Sequence, residues 1–315
     1  MGSHQRSIKG RPRRGKHESL RIYSFLATLM IIGVVIGASY IASLPQVEHI
    51  PDNFAFDRQA WMNYVPNSAE YALYVDFASA FSLSGSAETF GAQPLLQLYQ
   101  LNFSIFPQDA VFEVDMQLST SQFNGTVTMT KLRNLEPFQS ALENYTKTPT
   151  FAYQGFTLHT LLMRKAGDQK LQQGFLSLAN GYIIASDDQS AGKQFVQKIL
   201  DQFAFSASSL FDDISVRRGV YAAGITDQQY IGLHVGMFKT QLNDSRMIVK
   251  SVVKDQNGII VTRSILFPSS ETALSRFGEA HRVYRDASSY RILDSWLVVS
   301  YRYPVDKLRG ELTGI

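Results

Sequence analysis

The chain contains no cysteine in its 315 residues, so neither a disulfide nor a thiolate metal site can form anywhere in it. Stability must come from an ordinary packed core. Histidine is scarce as well: only His49, His159, His234 and His281 lie beyond the N-terminal segment, and no two stand at the i, i+2 or i, i+4 spacing that places ligands on one strand or helix face. A histidine-built zinc site is therefore not expected. The glycine motifs of common enzymes are missing too. There is no G-x-S-x-G nucleophile elbow, and the stretch Ser82–Ser86 carries serine where that motif needs glycine. Neither the phosphate-cradling G-x-x-x-x-G-K-[ST] nor the dinucleotide G-x-G-x-x-G occurs. Nothing in the chain calls for a metal or cofactor, and none is expected. The acidic pairs Asp187-Asp188 and Asp212-Asp213 stand where helices begin, which favours negative side chains. Asp255–Gly258 lacks the spaced acids and closing glutamate of a calcium loop and reads as a turn.

Charge is absent from Ile22 to Leu44. A helix of that length rises about 34 Å at ~1.5 Å per residue, which predicts a transmembrane helix over 22–44 across a hydrocarbon core of ~30 Å. Arg6, Lys9, Arg11, Arg13, Arg14, Lys16 and Arg21 precede it against the single acid Glu18, and Glu48, Asp52 and Asp57 follow. The positive-inside rule then places tail 1–21 in the cytoplasm and the C-terminal domain outside the plasma membrane, with the lipid bilayer as the first partner. The formal charge of +3 belongs to that tail: without it, 30 Lys+Arg and 27 Asp+Glu become 23 and 26, a small negative balance. No nucleic acid is expected on the outer domain. Gly33 and Gly37 form a G-x-x-x-G within the apolar stretch, the spacing of a helix–helix contact that would make a homodimer. Four N-x-[ST] sequons, at Asn102, Asn124, Asn144 and Asn243, all lie beyond the stretch and are candidate glycosylation positions.

Beyond a short polar juncture at 45–60, aromatic and β-branched residues are spread through the chain, with no linker or low-complexity tract. Val111–Ser119 alternates apolar and polar residues, Asn124-Gly125 follows, and Thr126–Thr130 alternates again, which predicts a hairpin turning at Asn-Gly. Leu135, Phe138, Ala141, Leu142 and Tyr145 then fall at helical spacing from a start near Asn134. The same order recurs at Phe175–Ala179, Asn180-Gly181 and Tyr182–Ser186, with a helix carrying Phe195, Ile199 and Phe203. It recurs again at Met247–Lys254, Asn257-Gly258 and Ile259–Phe267, with a helix capped near Ser269, and at Tyr290–Leu293, Asp294-Ser295 and Trp296–Tyr303 before a terminal helix at Val305–Arg309. Tyr71–Phe77 and Val220–Thr226 read as strands opening two halves, 61–205 and 206–315, with an extra helical segment near Pro94–Leu101. The expected fold is α+β: an N-terminal transmembrane helix followed by antiparallel sheets of repeated hairpin-helix units, duplicated.

The segment Val65-Pro66-Asn67-Ser68-Ala69-Glu70-Tyr71-Ala72-Leu73-Tyr74-Val75-Asp76 resembles the opening of a prokaryotic family of single-pass membrane-anchored proteins. In that family a V-P-x-x-A segment leads into an aromatic first strand, and Leu178–Ser186 resembles its later strand, Asn-Gly, strand element. The family has no assigned activity, so the resemblance implies an anchored outer domain and no functional residue. Two functions follow from the sequence: a binding or interaction module of the cell envelope that meets another envelope protein or a surface polymer, and, from a different class, a membrane-bound hydrolase with acids and serines dispersed along the chain. Convergent carboxylates of shifted pKa would favour the enzyme, and a broad exposed apolar patch would favour the interaction module.

Overall fold

The structure is a computed structural model that describes residues 23–36, 45–84, 93–119, 122–145, 149–166, 170–224, 230–237 and 240–313. It divides into two units, 1–46 and 47–315. In the first, α1 covers residues 23–36. Its 14 described residues rise about 21 Å. The expected transmembrane helix is corrected here: among the described residues no helix is long and apolar enough to cross a membrane. Gly33 lies in α1 with open space around it, whereas Gly37 falls outside the described residues.

The second unit also departs from the expected separate antiparallel sheets of repeated hairpin-helix units. It is built on one mixed sheet of 15 strands. The chain order is β1 (Val47–Glu48), β2 (Ala69–Asp76), α2 (Phe77–Ser84), β3 (Leu96–Leu98), β4 (Phe103–Ile105), β5 (Ala110–Ser119), β6 (Asn124–Leu132) and α3 (Glu136–Glu143). Then come β7 (Thr150–Tyr153), β8 (Phe156–Lys165), β9 (Gln172–Ala179), β10 (Tyr182–Ser186), α4 (Gly192–Phe205) and α5 (Ile214–Ala222). The last elements are β11 (Tyr230–Gly236), β12 (Met247–Asp255), β13 (Gly258–Leu266), α6 (Ser270–Val283), β14 (Ser289–Leu293), β15 (Trp296–Tyr303) and α7 (Leu308–Thr313). Across the sheet the strands run β1-β14-β15-β13-β12-β11-β2-β5-β6-β10-β9-β8-β3-β4, and β7 pairs with β8. The β1–β14 pair is parallel, so the polar juncture after residue 45 is stitched into the sheet rather than hanging free of it.

The centre of the sheet is the antiparallel pairing of β2 with β11, from Tyr71↔Gly236 to Val75↔Gly232. Local chemistry explains most of the outer hairpins. Ala179 faces Tyr182 across Asn180 (φ 48°) and Gly181 (φ 81°), the positive angles of a type I′ turn. Leu293 faces Trp296 across Asp294 and Ser295, where only Asp294 takes a positive angle, φ 51°. Two turns differ from expectation. Ser119 pairs with Asn124, so Asn124-Gly125 lies inside β6 and the connection is 120–123. Asp255 pairs with Gly258, so the tight turn is Gln256-Asn257, one residue earlier than Asn-Gly would put it.

Two secondary-structure readings are overturned. Val220–Thr226 does not open a half: Val220 and Ala222 belong to α5, where Asp213 caps the helix by accepting the Ser215 N–H at 2.7 Å. The buried positions Val216, Gly219 and Val220 keep helical spacing, which overrides the β preference of Val220 and Tyr221. Pro94–Leu101 is not an α-helix but β3 followed by a 3-10 turn at Tyr99–Leu101. Helices α3 and α6 start near the expected positions, where Asn134 accepts the Glu136 N–H and Ser269 accepts the Thr272 N–H; α4 follows Ala191 without a side-chain cap, and the terminal helix expected at Val305–Arg309 is a 3-10 turn at Val305–Lys307 followed by α7.

The first face of the sheet carries one continuous core. Val114, Met116, Val127, Met129, Leu233 and Val235 pack there against Phe195 and Ile199 of α4 and Val216 and Val220 of α5. The ring of Trp61 closes one end, stacked at 4.7 Å on Tyr74 and edge-on at 5.2 Å to Phe211. The second face is divided. One cluster, including Val75, Val261, Val299 and Leu312, gathers under α2, α6 and α7, and another, including Leu132, Phe138, Leu161 and Ile183, gathers under α3.

The β2–β11 pairing leaves no room for a side chain at Gly236. Its φ is +153°, and a Cβ there would lie 2.4 Å from Tyr71 Cβ and 2.5 Å from the Glu70 carbonyl oxygen. Gly236→Ala should therefore lower stability by about 1–3 kcal/mol. Gly278→Ala, in α6 with nothing near its added methyl, should instead raise it by about 0.5–1 kcal/mol. Urea unfolding of the two variants checks the opposite signs.

Candidate functional site

Between the two apolar clusters of the second face lies a charged trough. Its origin is the period of the strands: on β5, Val114, Met116 and Leu118 point into the first-face core, so Glu113, Asp115 and Gln117 must point the other way. On β6 the same alternation sends Thr126, Thr128 and Thr130 to the second face. The strands are in register there, Glu113 opposite Thr130 and Asp115 opposite Thr128. Thr130 Oγ1 donates to Glu113 Oε2 at 3.0 Å, and Thr128 Oγ1 donates to Asp115 Oδ1 at 2.5 Å. Lys165, at the end of β8, reaches Asp115 Oδ1 at 3.2 Å. Gly174 on β9 lets that strand approach closely, since a Cβ there would sit 2.4 Å from the Ser186 carbonyl oxygen and 2.7 Å from Met163 Sδ.

Asp115 belongs to a row that runs straight across the sheet. Successive registers place Thr128, Asp115, Leu73, His234, Lys250 and Arg263 side by side on β6, β5, β2, β11, β12 and β13. Acids stand on one side of the β2–β11 pair and bases on the other. The basic side is answered by α7: Lys250 Nζ lies 2.8 Å from Glu311 Oε2 and donates to the Glu311 carbonyl oxygen at 2.6 Å, with Arg263 3.8 Å from the same carboxylate. Leu308 and Leu312 bury α7 beside them, and Leu312 fills the space that a side chain at Gly232 would need.

The electrostatics differ between the two sides. Burial pushes Glu113 up to about 8, reinforced by the neighbouring Asp115 and only partly opposed by Lys165 and the Thr130 hydrogen bond. Burial also pulls Lys165 down, but Asp115, Glu113 and Asp187 outweigh it and hold the ammonium charged. Tyr71, beside them, is raised by burial and by Asp115. Across the sheet, burial and then Lys250 push His234 down to about 3, so its ring is neutral at ordinary pH. The trough thus holds a carboxyl that exchanges its proton near neutrality beside a fixed Asp–Lys pair. Such a group can donate a hydrogen bond, accept one, or pass a proton.

The residues singled out from the sequence do not converge here. Asn102, Asn124, Asn144 and Asn243 are all exposed, on separate elements. Asp188 accepts the N–H groups of Ser190 and Ala191 just before α4, and among the described residues no group of acids and histidines is arranged to hold a metal ion. No sequence motif marks Glu113 and Asp115, on the polar side of an alternating strand, or Lys165, at the end of β8. The Gln154-Gly155 turn, at φ 49° and 82°, was the local signal for β7 and β8. A cavity of about 400 Å³ lies elsewhere on the same face, between α3 and the β7–β8 turn, and shares no residue with the trough.

No protein-family model matches the chain, and no curated protein matches it. Among solved structures, crystal form I of TP0453 is similar with a TM-score of 0.50 at 10% identity, over 81% of this chain and 97% of that one. Crystal form III of TP0453 gives the same score and identity over 81% and 98%. At this identity the likeness is one of fold.

The sign of the Glu113 effect is testable. Its folded pKa lies above the unfolded carboxyl value, so the stability linked to it is complete below the unfolded pKa of about 4.5 and is lost as pH rises through about 8. The urea midpoint of the wild type should fall between pH 6 and pH 9, and Glu113→Gln, which cannot ionise, should flatten that fall. An unchanged slope in the variant would show that Glu113 is not the group responsible.

Proposed function

We propose that the protein is a non-catalytic binding module of the cell envelope, attached to a lipid bilayer through α1 and presenting its folded body on the extracytoplasmic side. The observation that carries this reading is α1 itself. Tyr23, Phe25, Leu26, Leu29, Met30, Ile31, Ile32, Val34, Val35 and Ile36 are all exposed, on every side of the helix. An apolar surface of that kind is not left to water; it meets lipid or another protein. The seven bases that precede it suit anionic head groups, each worth about 1 kcal/mol near a charged membrane surface. The partner met by the body is an envelope protein or a surface polymer, and the trough, with its charge pairs between two apolar clusters, supports specific polar recognition.

The rival reading, a membrane-attached hydrolase, is favoured by one observation: Glu113, held near neutral pKa beside Asp115, is the kind of carboxyl pair that enzymes use. Against it, the carboxylates of the trough are already engaged by neighbouring side chains of the protein. The hydroxyls there, Thr128 and Thr130, donate to the carboxylates and lie on the same flat strand surface.

In cell fractionation, the full chain should sediment with membranes and leave them only with detergent, whereas a chain lacking residues 1–44 should stay in the supernatant. Protease added to intact cells should digest the body. Cross-linking from the trough, at Gln117→Cys, should capture an envelope component that Glu113→Gln weakens. A full chain that stays soluble would remove the attachment reading, and a body protected from protease would remove the extracytoplasmic placement. Turnover of an ester or glycoside that disappears in Glu113→Gln would replace the binding reading with the enzymatic one.

A further inference from the structure

Strand β7 gives the sheet an open edge. It pairs with β8 alone, beside the path that continues through β3 and β4. The two-residue turn Gln154-Gly155 joins Tyr153 to Phe156, which makes these two a hydrogen-bonded pair. Antiparallel alternation then turns the backbone groups of Tyr153, Phe151 and Pro149 toward β8, and the Thr160 N–H does donate to the Pro149 carbonyl oxygen at 3.0 Å. The N–H and C=O groups of Thr150 and Ala152 therefore point away from the sheet. Further along β8 the same side is covered: the Leu162 N–H donates to Gln100 Oε1 at 2.7 Å, and the Ala166 N–H to the Leu95 carbonyl oxygen at 2.9 Å. Nothing among the described residues does this for Thr150 and Ala152.

The edge also lacks the usual protection. Thr150–Tyr153 contains no charge and no proline, and Thr150, Phe151 and Ala152 are all exposed. Phe151 and Tyr153 stand opposite Leu158 and Phe156, on the side of the first-face core. Each meets a charge from α4. Lys193 Nζ lies 3.9 Å from the centre of the Phe151 ring, and the Tyr153 hydroxyl donates to Asp201 Oδ1 at 2.8 Å. Among the described residues Lys193 has no acid beside it and Asp201 no base.

These features complement themselves. In a second copy running antiparallel about a twofold axis at Ala152, the two Ala152 residues exchange both of their outward hydrogen bonds. Phe151 then stands opposite Tyr153 of the second copy, once on each side of the axis, at the positions where cross-strand side chains are closest. Lys193 over one ring meets Asp201 bound to the other, again twice. A register centred on Phe151 would instead bring the two Lys193 ammonium groups together. We propose that β7 pairs with β7 of a second copy of this chain in the Ala152 register, forming an isologous homodimer. The contact uses neither the trough nor α1.

The test exploits the absence of cysteine from the chain. Ala152→Cys in the full chain, in detergent micelles, should give a disulfide-linked dimer on mild oxidation, because opposed residues of a hydrogen-bonded pair have Cα atoms about 5.5 Å apart, within reach of a disulfide. Thr157→Cys, exposed on the next strand, should stay monomeric. Sedimentation of the cysteine-free chain should show a monomer–dimer equilibrium. Ala152→Pro, which removes only an outward N–H, should weaken the dimer about tenfold and leave the urea midpoint near that of the wild type. Lys193→Asp and Asp201→Lys should each weaken it about threefold, and the double variant, with the charges exchanged, should recover most of the loss. A wild type that is monomeric at every concentration, equal cross-linking at Thr157→Cys, or a double variant no better than the singles would overturn the proposal. A dimer that survives Ala152→Pro and is lost in Gly33→Ile would belong to α1 instead. Oxidation in native membranes that links Ala152→Cys to a different protein, and not to its own copy, would assign the edge to another partner and overturn self-pairing.

Discussion

The structure depends on the pairing of β2 with β11. Five registered positions, Tyr71–Val75 against Gly236–Gly232, join segments about 160 residues apart and make one sheet where each side alone would end in an exposed edge. Strand β11 needs glycine at two positions, for different reasons. Gly236 meets the β2 backbone, and Gly232 makes room for Leu312 of α7. Outward from this pair, the strands run β5, β6, β10, β9 on one side and β12, β13, β15, β14 on the other. Each side therefore lays a hairpin beside the central strand and then a second hairpin in reversed order. The helices fill what the strands leave: α4 and α5 on the first face, α2, α3, α6 and α7 on the second.

Once that register is set, alternation fixes the fate of every side chain in the row through Asp115, Leu73, His234 and Lys250. Four of the six members of that row are charged or ionisable, in the middle of a sheet whose opposite face is a dry core. Buried charges are tolerated only when paired or neutralised. The protein uses both routes. Lys250 and Arg263 meet Glu311, and Asp115 meets Lys165, so those charges are retained. His234 and Glu113 are instead driven toward their neutral forms, by burial first and by like-charged neighbours second. The docking of a six-residue C-terminal helix is thus tied to the centre of the sheet, because it brings the carboxylate that Lys250 requires.

The likeness of fold to TP0453 comes with only 10% identity. Apolar alternation and turn geometry can be satisfied by many different residues. The sites are different in kind. The trough needs Glu113, Asp115 and Lys165 in one place, and the cavity needs α3 set over the β7–β8 turn. A likeness of fold carries neither arrangement from one protein to another.

What the sequence by itself determined is what neighbouring residues decide among themselves. Asn180-Gly181 and Asp294-Ser295 set two hairpins, because positive φ is cheap there. Asn134 and Ser269 start α3 and α6, because their side chains accept the first free N–H groups. The alternation of Val111–Ser119 made β5 legible, including which side of it is polar. Tertiary structure decided the rest. Asn124-Gly125 turned out to lie inside a strand because the register with β5 continues through it, and Val220 joined a helix because Val216 and Gly219 place it in the core. The single sheet, the charged row and the cavity arise from pairings between residues far apart in the chain. Their energies depend on what lies opposite, and no local pattern carries that information: Asp115 and Lys165 become partners only after β6, β10, β9 and β8 have taken their places.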